Sequence, residues 1–239
     1  MKIGIDLGHG VGQDRGAVSK YITEEEIINL VGNEVIKKLR SNGHEVVMCR
    51  PSRATSVTNS LSQRVNIANT KGCNLYVSIH ANCGGGHGSE IFTYNSKHFP
   101  ECERVLNNLV SLGFTNRGIK NGCNLYVIRH TKMTAMLIEI CFIDSLQDVQ
   151  KFKNLGHAKI ANEIVRGIIG NVKTSHAVGS FKVKVNCNAL NVREQPNTNS
   201  KITDVVHKNE VYTIVSISNN WGKLKSGRGW ICLNYCKRL

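Results

Sequence analysis

The segment KIGIDLGHG, residues 2–10, decides the fold of this chain, because an apolar run of strand length ends there in a glycine-rich turn that carries a histidine. Two further apolar runs follow, LYVSIH at residues 75–80 and MLIEICF at residues 136–142. Short continuous apolar runs are typical of strands buried on both faces. We therefore expect these three segments to be buried strands of one sheet.

Helical patterns separate these strands. The clearest helix follows Thr23 as its N-cap, has acidic residues in its first turn and basic residues in its last, and stops before Gly43. Predicted helices cover Glu24–Arg40, Leu61–Lys71, Cys102–Leu112, Ser145–Lys153 and Ala158–Ile169, and His44–Cys49 and Leu125–Ile128 resemble further strands. This alternation predicts an α/β fold for residues 1–171, a mostly parallel twisted sheet flanked by helices.

The character of the sequence changes near residue 180. Residues 172–180 are polar and without periodicity, so we expect a linker there. Residues 181–239 contain short strand-like runs between turn clusters, which predicts a small all-β barrel. Ten basic and three acidic residues give this part a net charge of +7, equal to that of the first 179 residues with 21 basic and 14 acidic residues. The denser positive charge indicates that the C-terminal part docks on a polyanion.

Composition limits the remaining function classes. The 239 residues carry a net charge of +14, which favours polyanionic partners. Aromatic residues make up only 6% and no helix-turn-helix pattern is present, so we expect no nucleic-acid partner. No apolar stretch approaches the ~20 residues of a membrane span. The nine cysteines are odd in number and contain no CxxC pair, which indicates reduced thiols packed as small hydrophobic residues.

Two histidines lie where predicted parallel strands end. His9 is flanked by glycines that allow a sharp turn, and His80 closes the second apolar run. Open α/β sheets bind ligands at this carboxyl edge, so both imidazoles can converge on one ion. A third ligand can come from the first helical turn, where Glu24, Glu25 and Glu26 follow one another. Three such ligands with one open position form a candidate catalytic zinc site.

Glu139 interrupts the third apolar run. An unpaired carboxylate buried there would cost several kcal/mol, so this residue either pairs with a cation such as Arg129 or takes part in proton transfer. The other features also have structural alternatives, because a strand-end histidine can be structural and glutamates that open a helix normally complement its dipole. From these residues alone both interpretations stay open.

Five blocks occur in order over residues 1–170: IGIDLGHG at 3–10, DRGA at 14–17, SIHAN at 78–82, NRGIK at 116–120 and LIEICFI at 137–143. Together they resemble the zinc-dependent N-acetylmuramoyl-L-alanine amidases of amidase family 3. The chain departs from the usual family pattern at Leu7, where proline is common, and at residues 140–142, where glycine often precedes the phenylalanine. Neither departure touches a ligand position.

The resemblance implies a catalytic carboxylate, Glu139, and a Zn²⁺ cofactor with three ligands, His9, Glu25 and His80. We select Glu25 from its run because the residues three and five positions later, Ile28 and Leu30, are both apolar. Glu26 is the main alternative. The implied reaction is hydrolysis of the amide bond between N-acetylmuramic acid and the L-alanine of the stem peptide, which causes bacterial cell lysis.

Three more polar residues are candidates for supporting roles. Asn82 and Arg117 are candidates for contacts with polar groups of the substrate, or for structural contacts. Asp6 is a candidate for orienting His9 through its second ring nitrogen, with turn capping as the alternative.

The C-terminal part carries its own motifs, NALNVREQP at residues 188–196, WGKL at 221–224 and GWI at 229–231. They resemble a bacterial SH3-like domain over residues 182–236. Such domains are generally non-catalytic and bind wall peptide or polymer, so the implied partners are peptidoglycan and anionic wall polymers. Trp221 and Trp230 are either barrel core or a ligand platform.

Other functions fit parts of the sequence. A cysteine-dependent cell-wall endopeptidase would use Cys83 with His80 or His87, although no helix N-terminus lies beside this glycine loop to lower the pKa of the thiol. A non-catalytic wall-binding protein would not need all four site positions filled. An actin-like ATPase would share IGIDLG, but it needs a second phosphate loop that the sequence lacks.

The first residues run directly into a predicted strand, which leaves no room for a secretory signal peptide. We therefore expect synthesis in the cytoplasm and action on the bacterial cell wall. A phage endolysin that leaves through a holin pore and an autolysin that lyses a mother cell both fit this expectation.

Overall fold

The computed structural model describes residues 1–170, 180–198, 200–218 and 220–239. The chain divides into two compact units, Met1–Gly170 and Asn171–Leu239. Residues 172–179 of the predicted linker lie outside the described residues.

A six-stranded sheet forms the centre of the first unit, all of whose residues are described. Its strands are β1 Lys2–Leu7, β2 Glu45–Met48, β3 Leu75–Asn82, β4 Ser89–Thr93, β5 Asn116–Asn121 and β6 Thr134–Phe142. They lie in the order β2-β1-β3-β6-β4-β5, and every neighbouring pair is parallel except β4 with β6. The predicted α/β class with a mostly parallel sheet is confirmed.

Helices cover both faces of this sheet. They are α1 Glu24–Ser41, α2 Val57–Thr70, α3 Pro100–Ser111, α4 Tyr126–Arg129, α5 Leu146–Leu155 and α6 His157–Ile169. Alternating strand residues face opposite sides, so Ile5 and Ile79 pack with α1, α3 and α6, whereas Tyr76 and Leu137 pack with α2 and α4. None of the described helices is long and apolar enough to cross a membrane.

One predicted strand is wrong and two strands were missed. The run Leu125–Ile128 provides the N-cap and the first three residues of the single-turn helix α4. Its backbone groups bond locally, as in Arg129 N–H to the Leu125 carbonyl at 3.0 Å. The edge strand β5 and its neighbour β4 carry polar residues among their apolar ones. Their periodicity was therefore too weak to predict them.

The second unit contains a seven-stranded antiparallel sheet across its described residues. Its strands are β7 Phe181–Val185, β8 Ala189–Arg193, β9 Ile202–His207, β10 Val211–Ser218, β11 Trp221–Leu224, β12 Trp230–Cys232 and β13 Cys236–Arg238. The order is β13-β7-β10-β11-β12-β8-β9, around a core that includes Val185, Val192 and Ile214. Trp221 is buried and Trp230 is half-buried. The predicted small all-β SH3-like domain is confirmed.

Helices α3 and α6 approach each other so closely at Gly167 that a Cβ there would lie 2.6 Å from the Val105 backbone. Helix propensity alone would make Gly167→Ala stabilising by about 1 kcal/mol. Because the helices must separate to admit the methyl group, we expect a net destabilisation of about 1–3 kcal/mol instead. Urea unfolding measures the difference.

The control for Gly167→Ala is Lys159→Ala, an exposed position on the same helix. It should change the free energy of unfolding by no more than ~0.5 kcal/mol. A stabilised Gly167→Ala variant would contradict the close packing of the two helices.

Candidate active site

Neighbouring strands bring the two histidines together at the carboxyl edge of the sheet. His9 follows β1 with a positive φ of 56°, which turns its ring back over the sheet. His80 lies in β3, and a Cβ on Gly8 would lie 2.3 Å from its ring. Only glycine at position 8 therefore allows the turn after β1 to pack this closely against the ring of His80. The ring centroids of the histidines are 4.9 Å apart.

A buried carboxylate lies between the imidazoles. Oε1 of Glu24 is 3.0 Å from Nδ1 of His80, and Oε2 of Glu24 is 3.4 Å from Nε2 of His9. One ligand atom from each of the three residues lies within 4.8 Å of the other two. Two imidazoles and one carboxylate form a donor set found in catalytic zinc sites. Among the described residues, these three side chains form the group that could hold a metal ion.

The structure places Glu24, and not the predicted ligand Glu25, between the two histidines. Successive helical residues differ in direction by about 100°, so only one of the three first-turn glutamates faces the sheet. Glu24 lies three, four and seven positions before the buried residues of α1, Ile27, Ile28 and Val31. Glu25 points away and pairs with Arg15 at 3.4 Å, and Glu26 is exposed. Glu25 was chosen because the residues three and five positions after it are apolar, but residues at that spacing do not lie on one face of a helix. Residues three, four and seven positions apart do share a face, and this spacing selects Glu24.

Asp14, rather than Asp6, orients His9. Oδ1 of Asp14 lies 2.6 Å from Nδ1 of His9, and Oδ2 of Asp14 accepts a hydrogen bond from Ser60 at 2.9 Å. Asp6 instead lies deeper in the sheet, where it accepts bonds from Arg64, Tyr76 and Ser78. The proposed role of Asp6 is therefore wrong, and a carboxylate five residues after the histidine has it.

The buried guanidinium of Arg64 holds this turn in place. It donates to Asp6 Oδ1 at 2.5 Å, to the Leu7 carbonyl at 2.6 Å and to the His9 carbonyl at 2.8 Å. It also contacts Asp14 Oδ2 at 3.3 Å. Both carboxylates and both carbonyls therefore lie within residues 6–14, the segment that contains the candidate ligand His9.

These contacts set the charge states at the site. Burial lowers the pKa of His9, but its hydrogen bonds with Asp14 and Glu24 outweigh burial and raise that pKa to about 9. Burial raises the pKa of Asp14, yet its bonds to His9 and Ser60 lower it to about 2. The two histidines likewise hold the pKa of Glu24 well below its usual range against the effect of burial. The site thus contains two carboxylates that stay ionised and face imidazole nitrogens.

Glu139 lies on β6 and is the register partner of His80 on the neighbouring strand β3. Its Oε2 is buried without a hydrogen-bond partner among the described residues. Burial, followed by the charges of Glu24 and Glu90, raises the pKa of Glu139 well above its usual value. The alternative partner, Arg129, lies at the end of α4 and donates to the following residue, His130, instead. Glu139 is therefore a buried carboxyl group with a free oxygen, suited to exchange protons with a small molecule.

Asn82 and Arg117, the candidates for substrate contacts, both bind Glu90. Asn82 Nδ2 donates to Oε1 at 2.7 Å, and Arg117 Nε donates to Oε2 at 2.9 Å. Glu90 is buried on β4 and is the register partner of Glu139 on β6. In this structure both side chains therefore hold a carboxylate next to Glu139.

A cavity of about 480 Å³ lies over these groups. Its lining includes all three candidate ligands, Glu139, Asn82, and the α2 and α4 residues Leu61, Arg64, Tyr126 and Val127. The cavity is large enough for several residues of a peptide or a sugar.

Cys83 lines the same cavity but lacks the features of a nucleophile. Partial burial and the Asp144 carboxylate raise the pKa of its thiol, which disfavours the reactive thiolate. No hydrogen bond joins Cys83 to a histidine in the described part of the chain. All nine cysteines, each within a described range, are unpaired. The geometry does not favour a cysteine endopeptidase.

Sequence reasoning missed Asp14, Arg64 and Glu90. Asp14 stood in a recognised block, and its carboxylate five residues after His9 was the available signal. Arg64 resembled an ordinary surface residue of a helix, and Glu90 lay in a strand that was not predicted. The contacts of Arg64 with Asp6 and of Glu90 with Arg117 span 58 and 27 residues of chain, which local patterns do not reveal.

The neighbours Glu24 and Glu25 allow a charge-matched test. We expect Glu24→Gln to abolish stoichiometric zinc binding, because an amide cannot replace the anionic ligand between the two histidines. Glu25→Gln should retain zinc, since its carboxylate pairs with Arg15. Metal content per chain after dialysis against zinc-free buffer measures both. Zinc loss from Glu25→Gln with retention by Glu24→Gln would reverse the assignment.

The chain is similar to known amidases and endolysins. The sporulation-specific N-acetylmuramoyl-L-alanine amidase of Bacillus subtilis (strain 168) is 32% identical over 207 residues, 80% of this chain and 79% of that protein. The endolysin of Bacillus phage SPP1 is 31% identical over 158 residues, 62% of this chain and 57% of the endolysin. The solved catalytic domain of an endolysin targeting Clostridia difficile has a TM-score of 0.64 at 31% identity, covering 71% of this chain and 97% of that domain.

Family matches divide the chain in the same way. Residues 3–170 match the family described as N-acetylmuramoyl-L-alanine amidase, and residues 188–234 match the bacterial SH3 domain. Both resemblances found in the sequence are thereby confirmed. The chain belongs to the N-acetylmuramoyl-L-alanine amidase family and carries a bacterial SH3 domain after its catalytic unit.

Proposed function

We propose that this protein is a zinc-dependent N-acetylmuramoyl-L-alanine amidase that hydrolyses the bond between the muramic lactyl group and the L-alanine of the peptidoglycan stem. The observation that carries the proposal is the buried, unpaired oxygen of Glu139 in the cavity that also contains His9, Glu24 and His80. A proton-transfer group and a metal-ligand set thus face the same space.

The chemistry of the donor set supports zinc. Glu24 is buried and ionised, and each of its two oxygens faces one histidine. Asp14 holds Nδ1 of His9, as outer carboxylates do for metal-bound histidines. Three protein ligands leave a coordination position for water or substrate. When bound, zinc supplies Lewis acidity toward a carbonyl oxygen and toward water.

The residues of the chain then perform the proton transfers. Glu139 accepts a proton from the water that attacks the lactyl carbonyl carbon. The bond from that carbon to the alanine nitrogen breaks, and Glu139 delivers its proton to the departing amine. The products are a lactyl carboxylate and a free L-alanine amino terminus.

The SH3 unit complements this chemistry by attachment to the cell wall. We infer that it binds wall material while the first unit cleaves it, which keeps the enzyme at an insoluble substrate. A phage endolysin and a sporulation amidase are both among the relatives. The same reaction serves host lysis and mother-cell lysis.

The reaction is tested on purified cell walls. We expect the protein to release L-alanine amino termini without new reducing sugars, to lose activity in a chelator, and to regain it on addition of Zn²⁺. Release of reducing sugars alone would identify a glycosidase and reject the amidase. Activity that is unaffected by the chelator would reject the metal requirement.

Glu139→Gln tests the proton-transfer role separately from metal binding. Because an amide cannot carry the proton, we expect the rate to fall about 10²–10⁴-fold. Zinc content should remain that of the native protein, since Glu139 is outside the ligand set. Glu26→Gln, an exposed carboxylate on α1, is the control and should keep full activity. Comparable rates for Glu139→Gln and the native protein would exclude Glu139 as the general base.

A further inference from the structure

Four lysines of the SH3 unit share one outer face of its sheet, which we call the lysine face. Lys184 is the register partner of Lys237 on β13 and of Val211 on β10. Lys182 is the partner of Thr213, and Thr213 bonds through its carbonyl to the backbone of Lys225. Register partners project to the same side of a sheet, so the four side chains surround Val211 and Thr213. The face is defined by Lys182, Lys184, Lys225 and Lys237.

The charges of this face are not compensated within the unit. None of the four ammonium groups forms an ion pair among the residues that the structure describes. Three acidic residues follow residue 180. Asp204, on the opposite edge strand β9, pairs with Arg228, and Glu194 directly follows β8 beside that edge. Glu210 accepts bonds from His207 and Tyr212. Tyr212 opposes Val183 and so belongs to the inner side of the sheet.

The pair Lys184 and Lys237 is unfavourable for folding. Like charges placed directly opposite each other destabilise antiparallel strands, because their Cβ atoms are only about 5 Å apart. Lys182 adds a third positive charge two residues along β7. An anion bound over the face would remove this repulsion, so the arrangement suits a ligand with several negative charges.

The composition of the face distinguishes between polyanions. Binders of single-stranded nucleic acid combine basic grooves with aromatic side chains on which bases stack. Here the residues between the lysines are Val211 and Thr213, and the half-buried Trp230 lies two strands away from β10. A flexible chain of repeated negative charges without bases matches these contacts best.

We propose that the lysine face binds a cell-wall polymer of repeating phosphodiester groups. Each lysine head contacts phosphate oxygens as a point charge, and the polymer runs across β13, β7 and β10 toward Lys225. This inference rests on the proposal that the SH3 unit attaches the enzyme to the wall. It adds the binding residues and the chemistry of the partner.

The test uses the full chain with a fluorescent synthetic poly(glycerol phosphate) as probe. The variant is Lys184→Gln with Lys237→Gln, and the control is Lys201→Gln with Lys208→Gln, two exposed lysines of the same unit. Both lower the net charge by two. We expect the first to weaken binding at least about fivefold at 0.1 M salt. The slope of log affinity against log salt concentration should fall by about 1.4. The control should bind like the native protein.

Equal weakening by both variants would reject a localised site in favour of general charge attraction. Tighter binding of single-stranded DNA of equal charge would assign the face to nucleic acid instead. Loss of folding is excluded by thermal unfolding, since removal of the opposed charges should leave the unit at least as stable as before. Cleavage of a soluble muropeptide, which carries no such polymer, reports the amidase independently. Failure of either proposal is thereby distinguished from failure of the other.

Discussion

The guanidinium of Arg64 is buried beneath the active site, and the geometry of the site depends on its contacts. A buried charge of this kind costs several kcal/mol unless anions and hydrogen-bond acceptors surround it. Asp6 and Asp14 provide the anions, and the carbonyls of Leu7 and His9 provide the acceptors. All four lie within residues 6–14, from the end of β1 through the turn that follows it. The contacts that compensate the charge of Arg64 therefore also hold His9 in its left-handed conformation. They place the Asp14 carboxylate against the ring of His9.

A second constraint runs across the sheet. His80, Glu139 and Glu90 are register partners on β3, β6 and β4, so a ligand-type imidazole and two carboxylates lie side by side. Arg117 and Asn82 hold Glu90, whereas Oε2 of Glu139 has no partner in the described residues. The pair of carboxylates is thus unequal: one is fixed by hydrogen bonds, and the other stays available for protons. The antiparallel pairing of β4 against the otherwise parallel sheet creates this juxtaposition.

Much of the fold could be predicted because its signals are local. Continuous apolar runs identify β1, β3 and β6, and the amphipathic pattern with a Thr23 cap identifies α1. The strands β4 and β5 could not be predicted for two different reasons. The edge strand β5 has no fully buried side chain, so it shows no apolar period. The interior strand β4 is only five residues long and has polar residues among its buried positions. The run Leu125–Ile128 has the composition of a strand, and it forms a helical turn because its backbone groups bond to neighbours.

The sequence by itself determined the two-part organisation, the family, and the positions of His9, His80 and Glu139 as candidate site residues. Strand-end histidines and a carboxylate in an apolar run are visible without coordinates. Only the tertiary structure decided that Glu24 rather than Glu25 lies between the histidines, and that Asp14 rather than Asp6 contacts His9. Likewise it placed Lys184 opposite Lys237 across two strands that are far apart in the chain. The physical reason is that direction around a helix and register between strands depend on packing, which residue spacing along the chain does not specify.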